Sequence, residues 1–302
     1  MIKKNWKIIS VVAISIVALT FVGCSNSNSK SSEEKKGADA TYGEKVKYKI
    51  TGIDAGAGVV QAAEKAVKDY KLDYTVQTSS GGAMTQALAD AIKNKEPIII
   101  TGWSPHWMFS KYDLKYLDDP KGSFGGNEHI NTIARNGLKE DMPNAHKILD
   151  QFLWTADDME AVMLKVNEGE NVKEVARQWI TDNTDKVSKW TEGAKKVDGE
   201  EIKLAYVAWD TEIASTNIIG LALEDMGYKV TLTQVDAGPM WAAVASGDVD
   251  AIVAAWLPGT HAKYISDYEG KVEDLGPNLE GAKIGLVVPS YMDINSIEDL
   301  VK

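Results

Sequence analysis

Ile98-Ile99-Ile100-Thr101-Gly102-Trp103-Ser104-Pro105 and Ala251-Ile252-Val253-Ala254-Ala255-Trp256-Leu257-Pro258 share one pattern: a short apolar run, then tryptophan, then proline two residues on. Apolar runs of this length read as strands, and a third, over 204–208, leads into Trp209. The chain therefore delivers three indoles to strand ends. In open α/β sheets ligands sit in the crevice beyond the carboxyl ends of the strands, so aromatic rings brought there by separate strands point to a binding site. The guest that suits such a cage is a cation. A quaternary ammonium cannot donate hydrogen bonds and is held by excluding water and presenting π faces, at roughly 2 kcal/mol or more per desolvated contact. Betaine, choline and carnitine all carry that head.

The two quoted stretches belong to a longer internal duplication. Ile53-Asp54 opens one series and Trp209-Asp210 the other; Gly82-Ala83-Met84 matches Gly238-Pro239-Met240, and Lys111-Tyr112 matches Lys263-Tyr264. Residues 117–120 match 275–277, and 130–137 match 282–290. Within each copy a strand is followed by a helical stretch (59–70; 214–226), a second strand (74–77; 229–234) and a second helix, which is α/β alternation. Two related lobes with a cleft between them are expected. Ile133 and Val287-Val288 mark the crossings, which divides the chain into 45–133 plus 288–302 for one lobe and 134–287 for the other. Thr155 before 156–166 and Asn171 before 172–181 cap helices that back the second lobe, and 295–302 returns as a short helix on the first.

The first 23 residues read as an export signal. Lys3, Lys4 and Lys7 precede an uncharged apolar run over 8–22, shorter than a ~20-residue membrane span, and Gly23 precedes Cys24. Leu19, Phe21, Val22, Gly23 and Cys24 resemble a bacterial lipobox, with phenylalanine where leucine is usual, so Cys24 is expected to be the lipidated N-terminus. An uncleaved anchor or a core thiol is the alternative. Residues 25–40, SNSNSKSSEEKKGADA, are small and polar, so 24–44 is expected to be a flexible tether. One cysteine makes no internal disulfide. Asp and Glu number 44 against 33 Lys and Arg, and loss of the three signal lysines takes the formal charge from −11 to −14, which argues against nucleic acid as a partner.

A ligand with a cationic head has a second end, and Asp54-Ala55-Gly56-Ala57-Gly58-Val59 suggests what it is. A glycine-rich turn here opens a helix, where converging N–H groups and the helix dipole favour an anion at the Gly58 and Val59 amides. No Gly-Lys-Ser/Thr follows, so a carboxylate fits better than a nucleotide phosphate, and a plain turn is the alternative. His261, five residues after Trp256, is a candidate donor to that carboxylate or else an ordinary satisfied side chain. His106, His129 and His146 share no metal-ligand spacing with it, so no metal site is expected. Of the other tryptophans, Trp154, Trp179 and Trp190 are expected in the core. Trp241, at an expected helix start, is a candidate for ligand contact, and Trp107 is a candidate for the entrance.

Taken together, Gly56-Ala57-Gly58, the 101–107 motif TGWSPHW, Val207-Ala208-Trp209-Asp210 and the 255–261 motif AWLPGTH resemble the glycine betaine-binding lipoproteins of osmoprotectant ABC importers, from about residue 45 to 302. The motif order resembles the subgroup whose halves are circularly permuted relative to related choline-binding proteins. The resemblance implies a periplasmic-binding-protein type II fold, a tryptophan prism of Trp103, Trp209 and Trp256 around the trimethylammonium, and a carboxylate held by the Gly58 and Val59 amides with His261. It further implies a membrane permease driven by a cytoplasmic ATPase as partners, a lipid-anchored location on the extracellular face of the cell membrane, and no cofactor. Glycine betaine, and with it proline betaine, is then expected over choline, which lacks the carboxylate; carnitine, choline and a ligand-presenting sensor are the alternatives. An enzyme acting on a small amine finds no support, since there is no Gly-x-Ser-x-Gly elbow.

Overall fold

Both halves build the strand and helix series from local signals. The computed structural model describes residues 40–301. The export signal, Cys24 and most of the expected tether over 24–44 lie outside the described residues. Where the description begins, the tether reading gives way to structure. Thr41 caps a short helix, α1 (Tyr42–Lys45): its hydroxyl accepts from the Glu44 N–H while the Glu44 carboxylate accepts from the Thr41 N–H, a reciprocal box that satisfies helix-end donors.

The first series runs β1 (Lys49–Thr51), α2 (Gly58–Asp69), β2 (Thr75–Gln77), α3 (Gly81–Asn94), β3 (Ile100–Ser104), α4 (Trp107–Lys111) and β4 (Leu114–Tyr116). After β5 (Glu128–Arg135) come α5 (Leu138–Asp141), α6 (Pro143–Gln151), α7 (Ala156–Asn167), α8 (Val172–Asp182) and α9 (Thr184–Trp190). The second series is β6 (Glu201–Tyr206), α10 (Asp210–Asp225), β7 (Lys229–Gln234), α11 (Ala237–Ser246), β8 (Ala251–Leu257), α12 (Ala262–Asp267) and β9 (Val272–Pro289). Thr155 and Asn171 cap α7 and α8 as the sequence leads one to expect. Two elements differ. The first long helix of the second series starts at Asp210 rather than 214, because Asp210 and Glu212 place acidic groups in its first turn, where the helix dipole favours them. The expected closing helix over 295–302 is one 3-10 turn, Ile297–Leu300, tied to the first series by a bridge between Asp118 and Ser296.

The duplication is visible in the pairing. β1 pairs in parallel with β2 and β3, and β6 with β7 and β8 in the same way. Each trio then meets an antiparallel neighbour, β9 against β3 and β5 against β8, so the curled sheet runs β2-β1-β3-β9-β5-β8-β6-β7, with β4 also on β9. β9 joins the halves. Its residues up to Ala282 pair with β5, and from Lys283 it pairs with β3 and then β4. Both quoted tryptophan motifs end in a cis proline peptide, Ser104-Pro105 and Leu257-Pro258.

Helix α10 is buried nearly all round, its polar first half (Thr211, Glu212, Ser215, Thr216, Asn217) included, and Ile218, Ile219, Ala222 and Leu223 fill the second half's core. Behind it Trp154, Trp179 and Trp190 pack as an aromatic cluster with Phe152; Trp179 and Trp190 stack with centroids 5.8 Å apart. These indoles are core, as expected from the spacing of Trp179 with Val175 and Ala176 on α8.

Candidate functional site

Strand β3 ends in Trp103 and Ser104, strand β8 in Trp256 and Leu257, and Trp209 is the extended residue before α10. All three indoles are less than a tenth exposed and line one small cavity. Gly58 and Val59 at the start of α2 line it too, from the other series. The structure thus brings five residues singled out from sequence to a single apolar space. Its remaining walls come from Ile53, Ala57, Thr211, Thr260 and Ile284.

The α2 end of the cavity is built for close approach. Ala57, the residue capping α2, has no side-chain oxygen, so the first N–H groups of the helix lack the usual side-chain cap. Gly58 has no room for a side chain. A Cβ there would stand 2.4 Å from the Thr260 carbonyl oxygen and 2.8 Å from its Cα. Thr260 is itself fixed: its N–H and hydroxyl donate to the two carboxylate oxygens of Glu128 at 2.5 and 2.7 Å.

His261 lies behind this wall and is almost wholly buried. Its Nδ1 accepts the Trp256 N–H at 3.0 Å, which leaves the proton of the neutral ring on Nε2. Burial pushes its pKa down to about 3, so the ring is neutral near pH 7. Nε2 has no partner among the described residues. A buried donor left unpaired costs about 1–3 kcal/mol, so this N–H is an unused hydrogen-bonding capacity, but His261 is not itself among the residues that line the cavity. The ring is held by Trp209, 6.3 Å away and nearly parallel, and by the edge of Trp241.

Carboxylates stand behind two of the indoles. Trp209 Nε1 donates to Asp54 Oδ2 at 2.9 Å, and Trp256 Nε1 to Glu212 Oε1 at 3.2 Å. Glu212 also accepts the Thr211 hydroxyl at 2.7 Å, yet burial outweighs both donors and pushes its pKa up to about 8. The native protein therefore keeps a proton that the unfolded chain gives up above a carboxyl's ordinary 4.5, and stability from this group is present below that pH and lost as pH rises through 8. Glutamine cannot titrate. The melting temperature of Glu212→Gln relative to wild type is expected to climb between pH 5 and pH 8.5; an offset constant across that range would rule out the shift.

One candidate is corrected. Trp241 does not face the cavity: it is fully buried and stacked on Tyr264 at 5.9 Å, because α11 turns its buried face toward α12. Trp107, the candidate for the entrance, is not among the residues that line the cavity; its Nε1 donates to Asp210 Oδ2 of the other series at 2.7 Å. Thr211, Thr260 and Glu212 were missed. Their only sequence signal is adjacency to Trp209 and His261, since nothing in the residue types says which way each side chain turns.

The sequence matches the family described as OpuAC, "Substrate binding domain of ABC-type glycine betaine transport system", over residues 28–182 and 200–302. The glycine betaine/carnitine transport binding protein GbuC of Listeria monocytogenes is 54% identical over 298 residues, 97% of this chain and 98% of that protein. Among solved structures, lactococcal OpuAC in its closed-liganded conformation with glycine betaine is 53% identical, covering 51% of this chain and 61% of that one, with a TM-score of 0.48. An ABC-transporter choline binding protein in complex with choline is 25% identical, covering 51% and 55%, with a TM-score of 0.45. This chain spans less than two thirds of either solved chain.

Proposed function

We propose, from the premise that this chain belongs to the family of substrate-binding domains of ABC-type glycine betaine transport systems, that it captures glycine betaine outside the cell and delivers it to a membrane permease. A substrate-binding protein of an ABC transporter with the two-lobed type II periplasmic-binding-protein fold is a carrier and not an enzyme. The ligand and its contacts are the proposal. The observation that supports them is the meeting of Trp103, Trp209, Trp256, Gly58 and Val59 around one cavity, with the unpartnered Nε2–H of His261 behind its wall.

On this reading the trimethylammonium occupies the indole cage, and the carboxylate takes the Gly58 and Val59 N–H groups and the His261 donor. Each end of the site rejects a different wrong guest: glycine lacks the methyl groups and choline lacks the carboxylate. Carnitine is a second candidate, favoured by the name of the Listeria relative. We place the boundary between the lobes where the strands change partner, in β9 between Ala282 and Lys283 and ahead of β5 at Glu128, rather than at 133–134 and 287–288. Anchoring through a lipid on Cys24 and drive by a cytoplasmic ATPase complete the proposal.

Calorimetric titration with glycine betaine and then choline, with tryptophan fluorescence followed in parallel, tests it. Saturable betaine binding with a fluorescence change and much weaker choline binding is the expected result. Equal affinities would remove the carboxylate half of the site, and no betaine binding by folded protein would overturn the ligand. His261→Ala is expected to weaken glycine betaine by roughly tenfold or more, the worth of a hydrogen bond to a charged group, and to leave choline unchanged. A parallel loss for both ligands would show that His261 only supports the cage.

A further inference from the structure

The two series place an aspartate at the same point. Asp54 follows β1 and leads into α2; Asp210 follows β6 and is the first residue of α10. Each takes an indole N–H from the opposite series. Trp209 donates to Asp54 Oδ2 at 2.9 Å, and Trp107 donates to Asp210 Oδ2 at 2.7 Å. His106, next to Trp107, brings its Nε2 to 3.2 Å from the same Asp210 oxygen, close enough for attraction though outside hydrogen-bond geometry. We propose that these two carboxylate–indole bonds form a reciprocal latch between the lobes, and that Asp54 and Asp210 are positioning residues that prolong the closed state over the ligand.

Three features carry the proposal. First, among the described residues every side-chain partner of Asp54 and Asp210 belongs to the opposite series, so neither bond survives separation of the lobes. Second, the bonds run in both directions between the series and their acceptors stand at matching places in the duplication, although the donors Trp209 and Trp107 do not correspond, so the latch does not hang on one accidental contact. Third, they differ in what else they touch: Trp209 is a wall of the cavity, whereas Trp107 is not, so the Asp54 bond couples closure to the cage and the Asp210 bond acts on closure alone. Burial raises the pKa of Asp210, but its contacts with His106 and Trp107 outweigh that and hold it below the usual carboxylate range, as a latch that works ionised requires. A bond that exists only in the closed state acts on the dissociation rate.

This inference rests on the cavity being the ligand site, and the test separates the two. Stopped-flow fluorescence with glycine betaine on Asp210→Ala, Asp210→Asn, Trp107→Phe and the Asp210→Ala/Trp107→Phe pair reads the rates, and spin labels placed one on each lobe read the closed fraction. Asp210→Ala and Trp107→Phe are each expected to speed dissociation about tenfold with association nearly unchanged. Asparagine, which keeps an acceptor oxygen, recovers part of the loss, and the double variant loses no more than either single one. Asp210 also places its charge at the N-terminus of α10, so its removal carries a stability cost that Trp107→Phe does not share; melting curves separate that cost from the rates. An unchanged dissociation rate, or additive losses in the pair, overturns the latch. Should wild type not bind glycine betaine, the ligand reading fails, and the latch is judged by the labels: a closed fraction equal in wild type and Asp210→Ala overturns it, and a lower one in the variant upholds it.

Discussion

Replacing Gly58 by alanine is expected to weaken glycine betaine binding by about a hundredfold, near 2.7 kcal/mol, while leaving the melting temperature within a degree or two of wild type. The added methyl would stand 2.4 Å from a backbone oxygen, and Thr260 cannot yield because Glu128 grips it through both its N–H and its hydroxyl. The strain falls between the two series and not within α2, where alanine is a better helix former than glycine. A protein that relieves it by keeping the lobes apart stays folded and loses the dry, closed cage on which the reading of the site depends. Circular dichroism melting and calorimetry with glycine betaine check the two halves of the expectation. Wild-type affinity in the variant would mean that the Gly58 to Thr260 approach is not needed for capture.

What the sequence shows, and what it hides, follows from the range of the interactions. Trp103 and Trp256 sit at the ends of continuous apolar runs, and the repeat of the run, the tryptophan and the proline announces β3 and β8 as equivalent strands before any contact is known. The caps Thr155 and Asn171 are equally local. β9 is harder to read. Gly276-Pro277 and Gly281 look like turns, yet this stretch is part of a long strand, because the register against β5 shifts repeatedly and the irregular pairing tolerates residues that a regular ladder would exclude. The site divides in the same way. Which residues reach it is legible from strand ends and a glycine-rich helix start. That Trp107 turns to Asp210, that Trp241 turns to Tyr264, and that Glu212 hides behind Trp256 depends on partners more than twenty residues away.

Truncating a cage wall is the second large effect. Trp209→Ala is expected to weaken glycine betaine by roughly thirtyfold, the worth of one desolvated cation–π contact of about 2 kcal/mol. The loss has more than one source, since the ring also bonds Asp54 and flanks His261. Removing so large a buried side chain costs stability too, about 3–5 kcal/mol, so affinity must be measured where melting curves show the variant folded. Trp209→Phe separates the sources. Phenylalanine keeps a π face and gives up the N–H to Asp54, so it is expected to restore most of the affinity that alanine loses if the ring's face holds the cation, and little of it if the bond to Asp54 matters more. The carbon isostere 3,3-dimethylbutanoate then isolates the charge. It has the shape and carboxylate of glycine betaine without the positive head. A cage that works through π faces binds it far more weakly than glycine betaine in wild type, and the gap narrows in Trp209→Ala. An isostere that binds wild type as well as glycine betaine would make the three indoles an apolar socket and not a cation site.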